Sequence, residues 1–396
     1  MTVHLFGKAY SPCIAAWALQ QTAADKKATF GEEIREIVKK NFYADDGLFS
    51  KPSTEQAVYS SLELMKMLRK GNFRLTPFIS NAEDVLAAIP AEEKTIKNLD
   101  LGKLPIERAL GQQWNSDTDT FGVKTSPPSA QPGNDTRRGC LSTLSSIFDP
   151  LGMIGPVLLP AKRALQKTWQ LKLLWDEKLL EDLLKDWNKW KEKLTLLNHV
   201  TIPRCYFPGG CSLNATIQLH HFSDASEVGY GTVSYLRRET VYGRVDCSFI
   251  IAKSRTAPLQ FVYVPRLELQ AATIAVRKYL PILKESDLVM SASFFWTDSK
   301  VTLQYINNET RRFKTYVCNT VPEIRDASQP CQWRHCPGSL NLADEAPRGI
   351  PAQRFLTSER WFKGPAFLMK LEEDWSCFEI LVLPEDDKLQ KNTTKN

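Results

Sequence analysis

Three strand-like segments follow one another with only short turns between them: "ATIQLHHFSDAS" (215–226), "GYGTVSYLRR" (229–238) and "DCSFIIAKSRT" (246–256). Short turns between strands force antiparallel neighbours. The period then changes. "PRLELQAATIAVRKYLPIL" (265–283) reads as a helix, and "ASFFWTD" (292–298) as a strand reached through it. A strand entered by a helical crossover pairs in parallel. Helices in "SKVTLQYINN" and "FKTYVCNTVPEIRDA", a strand in "CQWRHC" and a last short helix complete the order. The fold class is therefore α/β: a mixed five-stranded sheet with an antiparallel start and a parallel extension.

Four acids fall at the ends of these elements. Asp224 ends the first strand, and Glu268 is expected in the first turn of the helix after Pro265. Asp298 ends "FFWTD", and Asp344 in "NLADEAPRG" opens the last short helix. Singly, each has an ordinary explanation: an acid facing the positive end of a helix, a helix cap, or a turn residue. Together they say more. Neighbouring first and fourth strands place Asp224 beside Asp298 with Glu268 above them. Carboxylates gathered in this way repel one another unless cations neutralise them. Hard divalent ions suit oxygen ligands, and a pair of ions about 4 Å apart is the usual clamp for displacement at phosphorus.

The rest of the chain is organised around other signals. Its 396 residues exceed one ordinary core, so several domains are expected. The Pro- and Ser-rich "KTSPPSAQPGNDT" (124–136) marks a linker. Beyond it, "LLPAKRALQKTWQLKLLWDEKLLEDLLKDWNKWKEKL" carries leucines and tryptophans at helical spacing, either an amphipathic pair with solvated lysines or a basic aromatic face for a duplex. Earlier, "STEQAVYSSLELMKMLRKGN" reads as a helix capped by Ser53 or Thr54 and ended at Gly71. Residues 1–30 read as a turn and a helix, and 73–123 as short strands and turns. The expected boundaries are 1–123, the linker 124–137, a helical region 138–211, the α/β domain 212–370 and a polar tail 371–396. A net charge of +6 permits nucleic-acid binding without demanding it. Nine cysteines without a CxxC pair favour reduced thiols, and the Cys331, His335, Cys336 cluster lacks the spacing of a zinc site. No apolar run approaches a membrane span, and no signal peptide is evident, so an intracellular protein, cytoplasmic or nuclear, is expected.

In order along the chain, "HFSDAS…GYGTVSYLR", "PRLELQAA", "FFWTDSK" and "WRHCPGSLNLADEAPRG" resemble the successive motifs of the ribonuclease H domain of Bel/Pao LTR retrotransposons. "LSTLSSIFDPLGMIGPVLLPAK" and "LLWDEKL" resemble the Pao segment that precedes it, and "RWFKGPAFL" the segment that closes it. The resemblance implies a ribonuclease H-like sheet and cleavage of the RNA strand of an RNA–DNA hybrid with two Mg²⁺ or Mn²⁺ ions. By position it implies Asp224, Glu268, Asp298 and Asp344 as the metal-binding acids. His335 stands roughly where many ribonucleases H carry a mobile histidine; a packed strand residue is the other reading, and His220 is read as structural. Lys253 and Arg255 are read either as phosphate contacts or as parts of a solvated loop. "APRG" departs from the family, which usually has a serine before Arg348, so Pro347 bears on the helix beside Asp344.

The hairpin "FYADDGLFS" (42–50), with "HLFGKAYSPCIAAWALQ" before it, resembles the second half of a reverse-transcriptase palm. Tyr43, Asp45 and Asp46 match its Tyr-x-Asp-Asp, with Asp-Asp-Gly expected as the turn. Polymerisation needs a third carboxylate from an upstream strand. None is identified here, and no independent DNA synthesis is expected. Two alternatives to the enzyme stand beside it: a catalytically silent nucleic-acid-binding remnant, and an aspartic peptidase suggested by the Pao family name. The latter needs an Asp-Thr-Gly or Asp-Ser-Gly loop, and neither occurs.

Overall fold

The computed structural model describes residues 9–44, 46–93, 106–109, 112–125, 135–207, 215–308 and 313–378. Two compact units emerge: Met1–Gly122 with Pro203–Cys205, and Val123–Ile202 with Tyr206–Asn396. No described helix is long and apolar enough to cross a membrane.

The first unit is built on helices Ser11–Asp25, Lys27–Asn41 and Thr54–Arg69. They close a small core of Leu19, Ala23, Ile34, Ile37, Val38, Leu64, Met67 and Leu68. The middle helix extends beyond the turn and helix expected for residues 1–30. Its pattern is interrupted at Gly31, where φ is +83°. Ser53 caps the third helix by accepting the Gln56 N–H at 3.3 Å. Gly71 does not supply the expected left-handed cap. Asn72 does, with φ of 62°, and a Cβ on Gly71 would collide with the Thr22 side chain. A helix at Glu83–Ala88 joins the expected strands Ile106–Ala109, Gln112–Asn115 and Thr120–Gly122. Phe42–Tyr43 and Asp46–Gly47 pair as a hairpin, with Tyr43 opposite Asp46. The turn thus falls before Asp46 rather than on Asp-Asp-Gly, and Ala44 takes a positive φ of 50°.

In the second unit the sheet strands are β1 (Ala215–Ser226), β2 (Gly229–Thr240), β3 (Val245–Thr256), β4 (Ala292–Thr297) and β5 (Trp333–His335). Their order is β5-β4-β1-β2-β3. The β1–β2 and β2–β3 pairs are antiparallel, whereas β4 is parallel to both β1 and β5. This is the mixed sheet expected from the turn-linked strands and helical crossovers. β1 lies in the middle, so its residues 218–224 are buried on both faces. Six helices of the unit are α1 (Arg137–Ser146), α2 (Gly155–Gln170), α3 (Glu181–Lys191), α4 (Val264–Glu285), α5 (Lys300–Asn307) and α6 (Thr315–Ala327). Leu219 and Phe295 from the sheet pack with Leu269, Ala272 and Val276 of α4 and with Val321 and Ile324 of α6. On the alternate residues of β1 and β4, Phe222 stacks on Trp296 at 5.9 Å, and Phe367 closes on Trp296 edge-on at 5.1 Å.

The segment before the sheet is fastened to the β3 edge. Ala252 N–H donates to Leu151 O at 2.7 Å, and Trp361 Nε1 to Met153 O at 2.9 Å. Gly152, at φ +71°, fits where any Cβ would strike the Ala252 carbonyl. The long amphipathic stretch splits into α2 and α3. Trp187 and Trp190 stack at 5.0 Å, with Trp187 fully buried. Trp169 and Trp175 stay exposed, meet edge to face, and both contact the Arg137 guanidinium, at 3.3 and 4.2 Å from their ring centroids. The tail expected from residue 371 begins with packed structure: Trp375 is buried and donates to Phe367 O at 2.8 Å.

Candidate active site

The β1–β4 register builds the centre of the site. Thr297 lies opposite Ser223, so the next residue of each strand, Asp298 and Asp224, emerges at the same level. Asp224 is only 5% exposed, and Asp298 is half-buried. Glu268 reaches the pair from α4. That helix begins at Val264 with no acid in its first turn. Glu268 is therefore the fifth residue of the helix, just past its first turn, because the helix begins at Val264 rather than after Pro265. Ser299, directly after Asp298, donates its hydroxyl to Glu268 Oε2. Ser299 Oγ in turn accepts the Thr302 N–H at 3.1 Å, so Ser299, not Asp298, caps α5.

Asp344 arrives on a 3-10 turn, Leu342–Asp344, followed by the short helix α7 (Glu345–Arg348). Asn341, fully buried, ties this turn to β1: its Nδ2 donates to Ser223 O at 3.1 Å while its Oδ1 accepts the Ala343 N–H at 3.1 Å. Arg348 Nε pairs with Asp344 Oδ1 at 2.5 Å. Pro347 is accommodated inside α7, where its carbonyl accepts the Ser226 hydroxyl at 3.1 Å.

The electrostatics follow from this crowding. Burial, then the charges of Asp298 and Asp344, pushes the Asp224 carboxyl up to about 9, against an opposing N–H from Ala225. Glu268 is also raised, by burial first and by Asp298 as well, while the Ser299 hydroxyl pulls it down. Asp224 and Glu268 therefore both hold their protons more tightly than free carboxyls do. Among the described residues, no three His, Cys, Asp or Glu side chains close into a ready metal cage. The β1–β4 register nevertheless brings Asp224 and Asp298 to adjacent strand ends, and Ser299 joins Glu268 to the same place. The donor set fits hard divalent ions: it is all oxygen, its acids repel, and a cation would relieve that repulsion. Gly338 keeps the approach open, since a Cβ there would stand 3.0 Å from Asp298 Oδ2.

The other expected residues divide. His335 is half-buried at the end of β5; burial and then Lys300 hold its pKa low, while the charge and carbonyl of Asp298 pull it back up. It thus stands beside the carboxylates. His220 does not: it is fully buried against Phe294 and Trp375 and accepts the Trp296 Nε1–H at 3.1 Å, with burial the main cause of its very low pKa. Lys253 and Arg255 are exposed, and on β3 rather than in a loop. In the first unit, Tyr43 and Asp46 are exposed on the hairpin, and Asp45 lies outside the described residues. Sequence reasoning missed Ser299, Asn341 and Arg348. The signals were present: a capping residue after the strand-end acid, an Asn three residues before Asp344, and a cation four residues after it.

Residues 136–299 match the family model described as "Pao retrotransposon-like RNaseH-like domain". That span holds Asp224, Glu268 and Asp298; His335 and Asp344 follow it. No curated protein matches the chain. Among solved structures, the N-terminal ribonuclease H domain of a Mycobacterium tuberculosis protein, solved fused to maltose binding protein, is 8% identical with a TM-score of 0.24, over 36% of this chain and 97% of that one. Ribonuclease H1 from the archaeon Halobacterium salinarum is 10% identical with a TM-score of 0.22, over 33% of this chain and 91% of that one.

Proposed function

We propose that this chain is a divalent-metal-dependent ribonuclease H that cleaves the RNA strand of RNA–DNA hybrids, with Asp224, Glu268, Asp298 and Asp344 as its metal-holding acids. One observation carries the reading: parallel pairing of β1 with β4 sets Asp224 and Asp298 side by side, and Glu268 is joined to the same strand end through Ser299. The matched family description, which names a ribonuclease H-like domain, supports it. Two Mg²⁺ or Mn²⁺ ions would supply charge neutralisation and Lewis-acid activation on both sides of the scissile phosphodiester.

The protein's own groups have distinct tasks. Asp224 and Asp298 present carboxyl oxygens from rigid strand ends, which holds them to a fixed spacing. Ser299 orients Glu268. Asn341 fixes the turn that carries Asp344, and Arg348 screens that acid. Loading the site requires the Asp224 proton to leave, so cation affinity rises with pH. His335, its pKa held low by burial and Lys300 and pulled back by Asp298, stands where a proton carrier beside Asp298 would act. On the same reading the hairpin Phe42–Gly47 belongs to a palm-derived unit.

A second reading, a silent nucleic-acid-binding protein, draws on the Arg348–Asp344 pair, which already gives one of the four acids a cation within the protein. One experiment separates the two. The chain is incubated in Mg²⁺ with a hybrid labelled on either strand. The enzyme reading expects RNA-strand cleavage that Asp298→Asn lowers by about 100-fold or more. No cleavage, or cleavage indifferent to Asp298→Asn, selects the silent reading.

A further inference from the structure

The turn that carries Asp344 has little stability of its own. Helix α7 spans four residues, and a helix of that length stands only where its surroundings hold it. Three contacts fix its backbone. Asn341 ties its entry to β1. A Cβ on Gly231 of β2 would fall 2.7 Å from Ala346 Cβ, so helix and strand touch there. At its exit Gly349 takes a φ of +80°, and the Ile350 N–H donates to Pro156 O of α2 at 3.2 Å. These contacts hold the backbone, and the acids on it have partners of their own.

Adjacent acids repel, and Asp344 disfavours the charged form of Glu345. Each has its own arginine. Arg348 pairs with Asp344, and Arg360 Nε lies 3.4 Å from Glu345 Oε1. Consecutive residues of a helix diverge by about 100° around its axis, so the two pairs draw the carboxylates to different sides of α7. Glu345 is the inner of the two, its side chain 16% exposed against 28% for Asp344. Among the cations that favour its charge against burial, Arg360 counts most and Arg354 next. Its Oε2 has no hydrogen-bond partner among the described residues. A buried carboxylate with so few partners loses its place when one is removed. Arg360 itself stands on a fixed base. The next residue, Trp361, is buried, donates its indole N–H to Met153 O, and accepts the Tyr235 hydroxyl on its carbonyl at 2.8 Å. Gly364, at φ +77°, lies where a Cβ would be 2.7 Å from Cys247 Sγ. The short helix Arg360–Lys363 is thus fastened to β2, β3 and the loop before α2, and it offers Arg360 to α7 from there.

We propose that Arg360 is a positioning residue for the carboxylate centre: through Glu345 it holds the Leu342–Asp344 turn so that Asp344 faces the ends of β1 and β4. The segment that closes the domain is then part of the site's support as well as a cover for the sheet. The role of Asp344 as a metal-holding acid rests on the ribonuclease H reading; the tether from Arg360 to Glu345 rests on the packing alone.

Two measurements on the full-length chain test it. Hydrogen exchange of the ion-free chain reads the turn itself, in peptides covering residues 341–349. Calorimetric titration with Mn²⁺ at pH 8 reads what the turn does. Arg360→Gln should speed exchange there by about fivefold. It should weaken one Mn²⁺ ion by about tenfold and leave the other in place. Glu345→Gln should do the same, the double variant should add nothing further, and Arg360→Lys should restore most of both. The control Lys363→Gln breaks an exposed pair with Glu359 in the same segment and should change neither. Unaltered exchange in Arg360→Gln overturns the proposal. So does faster exchange with Mn²⁺ binding unchanged, because an ion pair that only stabilises the fold leaves the ions alone. No Mn²⁺ binding by the unaltered chain, with exchange still faster in Arg360→Gln, overturns the ribonuclease reading and leaves the tether standing.

Discussion

The hairpin of the first unit and the carboxylate centre of the second both present acids at strand ends, and they differ in everything that gives an acid chemistry. Asp46 sits exposed on a two-residue strand. Asp224 sits 5% exposed on a twelve-residue strand between two others, with acids from three further elements around it. The motif letters are equally clear in both places. What separates them is burial and converging charge, which raise Asp224 to about 9.

Mutating both regions is the strongest way to break this contrast. Asp298→Asn is expected to cost about 100-fold or more in hybrid cleavage, whereas Asp46→Asn, exposed in the other unit, should leave it within about twofold. Equal losses would mean that the hairpin takes part in the same chemistry.

The pH dependence of stability sharpens the contrast next. The folded Asp224 carboxyl binds its proton more tightly than the unfolded one, so its contribution is complete below about pH 4 and is lost as pH rises towards about 9. The ion-free chain should lose about 10 °C or more in Tm between pH 5 and 9, and Asp224→Asn should remove most of that decline. Asp46→Asn should leave the curve in place.

The smallest effects compare two caps. Ser53→Ala removes one exposed 3.3 Å cap and should cost about 0.5–1 kcal/mol. Ser299→Ala removes both a buried cap and the Glu268 hydrogen bond, and should cost about 1–2 kcal/mol by denaturant titration. It should also lower cleavage, which Ser53→Ala should not.

Much of the second unit was legible because its rules are local. Alternation and short turns specify β1 to β3, and the helical crossover specifies β4 parallel to β1, which puts Asp224 and Asp298 together. What was not legible depends on packing between distant segments. Nothing near Ser299 in sequence announces Glu268, thirty-one residues earlier. Nothing near Asn341 announces the carbonyl of Ser223. The polar stretch after residue 370 concealed Trp375, which packs on His220, Phe294 and Trp296. The helix Lys27–Asn41 was hidden by the break at Gly31. Local conformation was read well, whereas the partners that tune it were not.

The central claim is that the β1–β4 strand ends form a two-cation site, and Mn²⁺ binding tests it most directly. Calorimetric titration of the full chain at pH 8 should show up to two Mn²⁺ ions bound with proton release, weakening as the pH falls through 7. Asp224→Asn and Asp298→Asn should each abolish at least one of them, while Asp46→Asn retains both. Binding unchanged in the Asp224 and Asp298 variants, or lost in the Asp46 variant, would contradict the account.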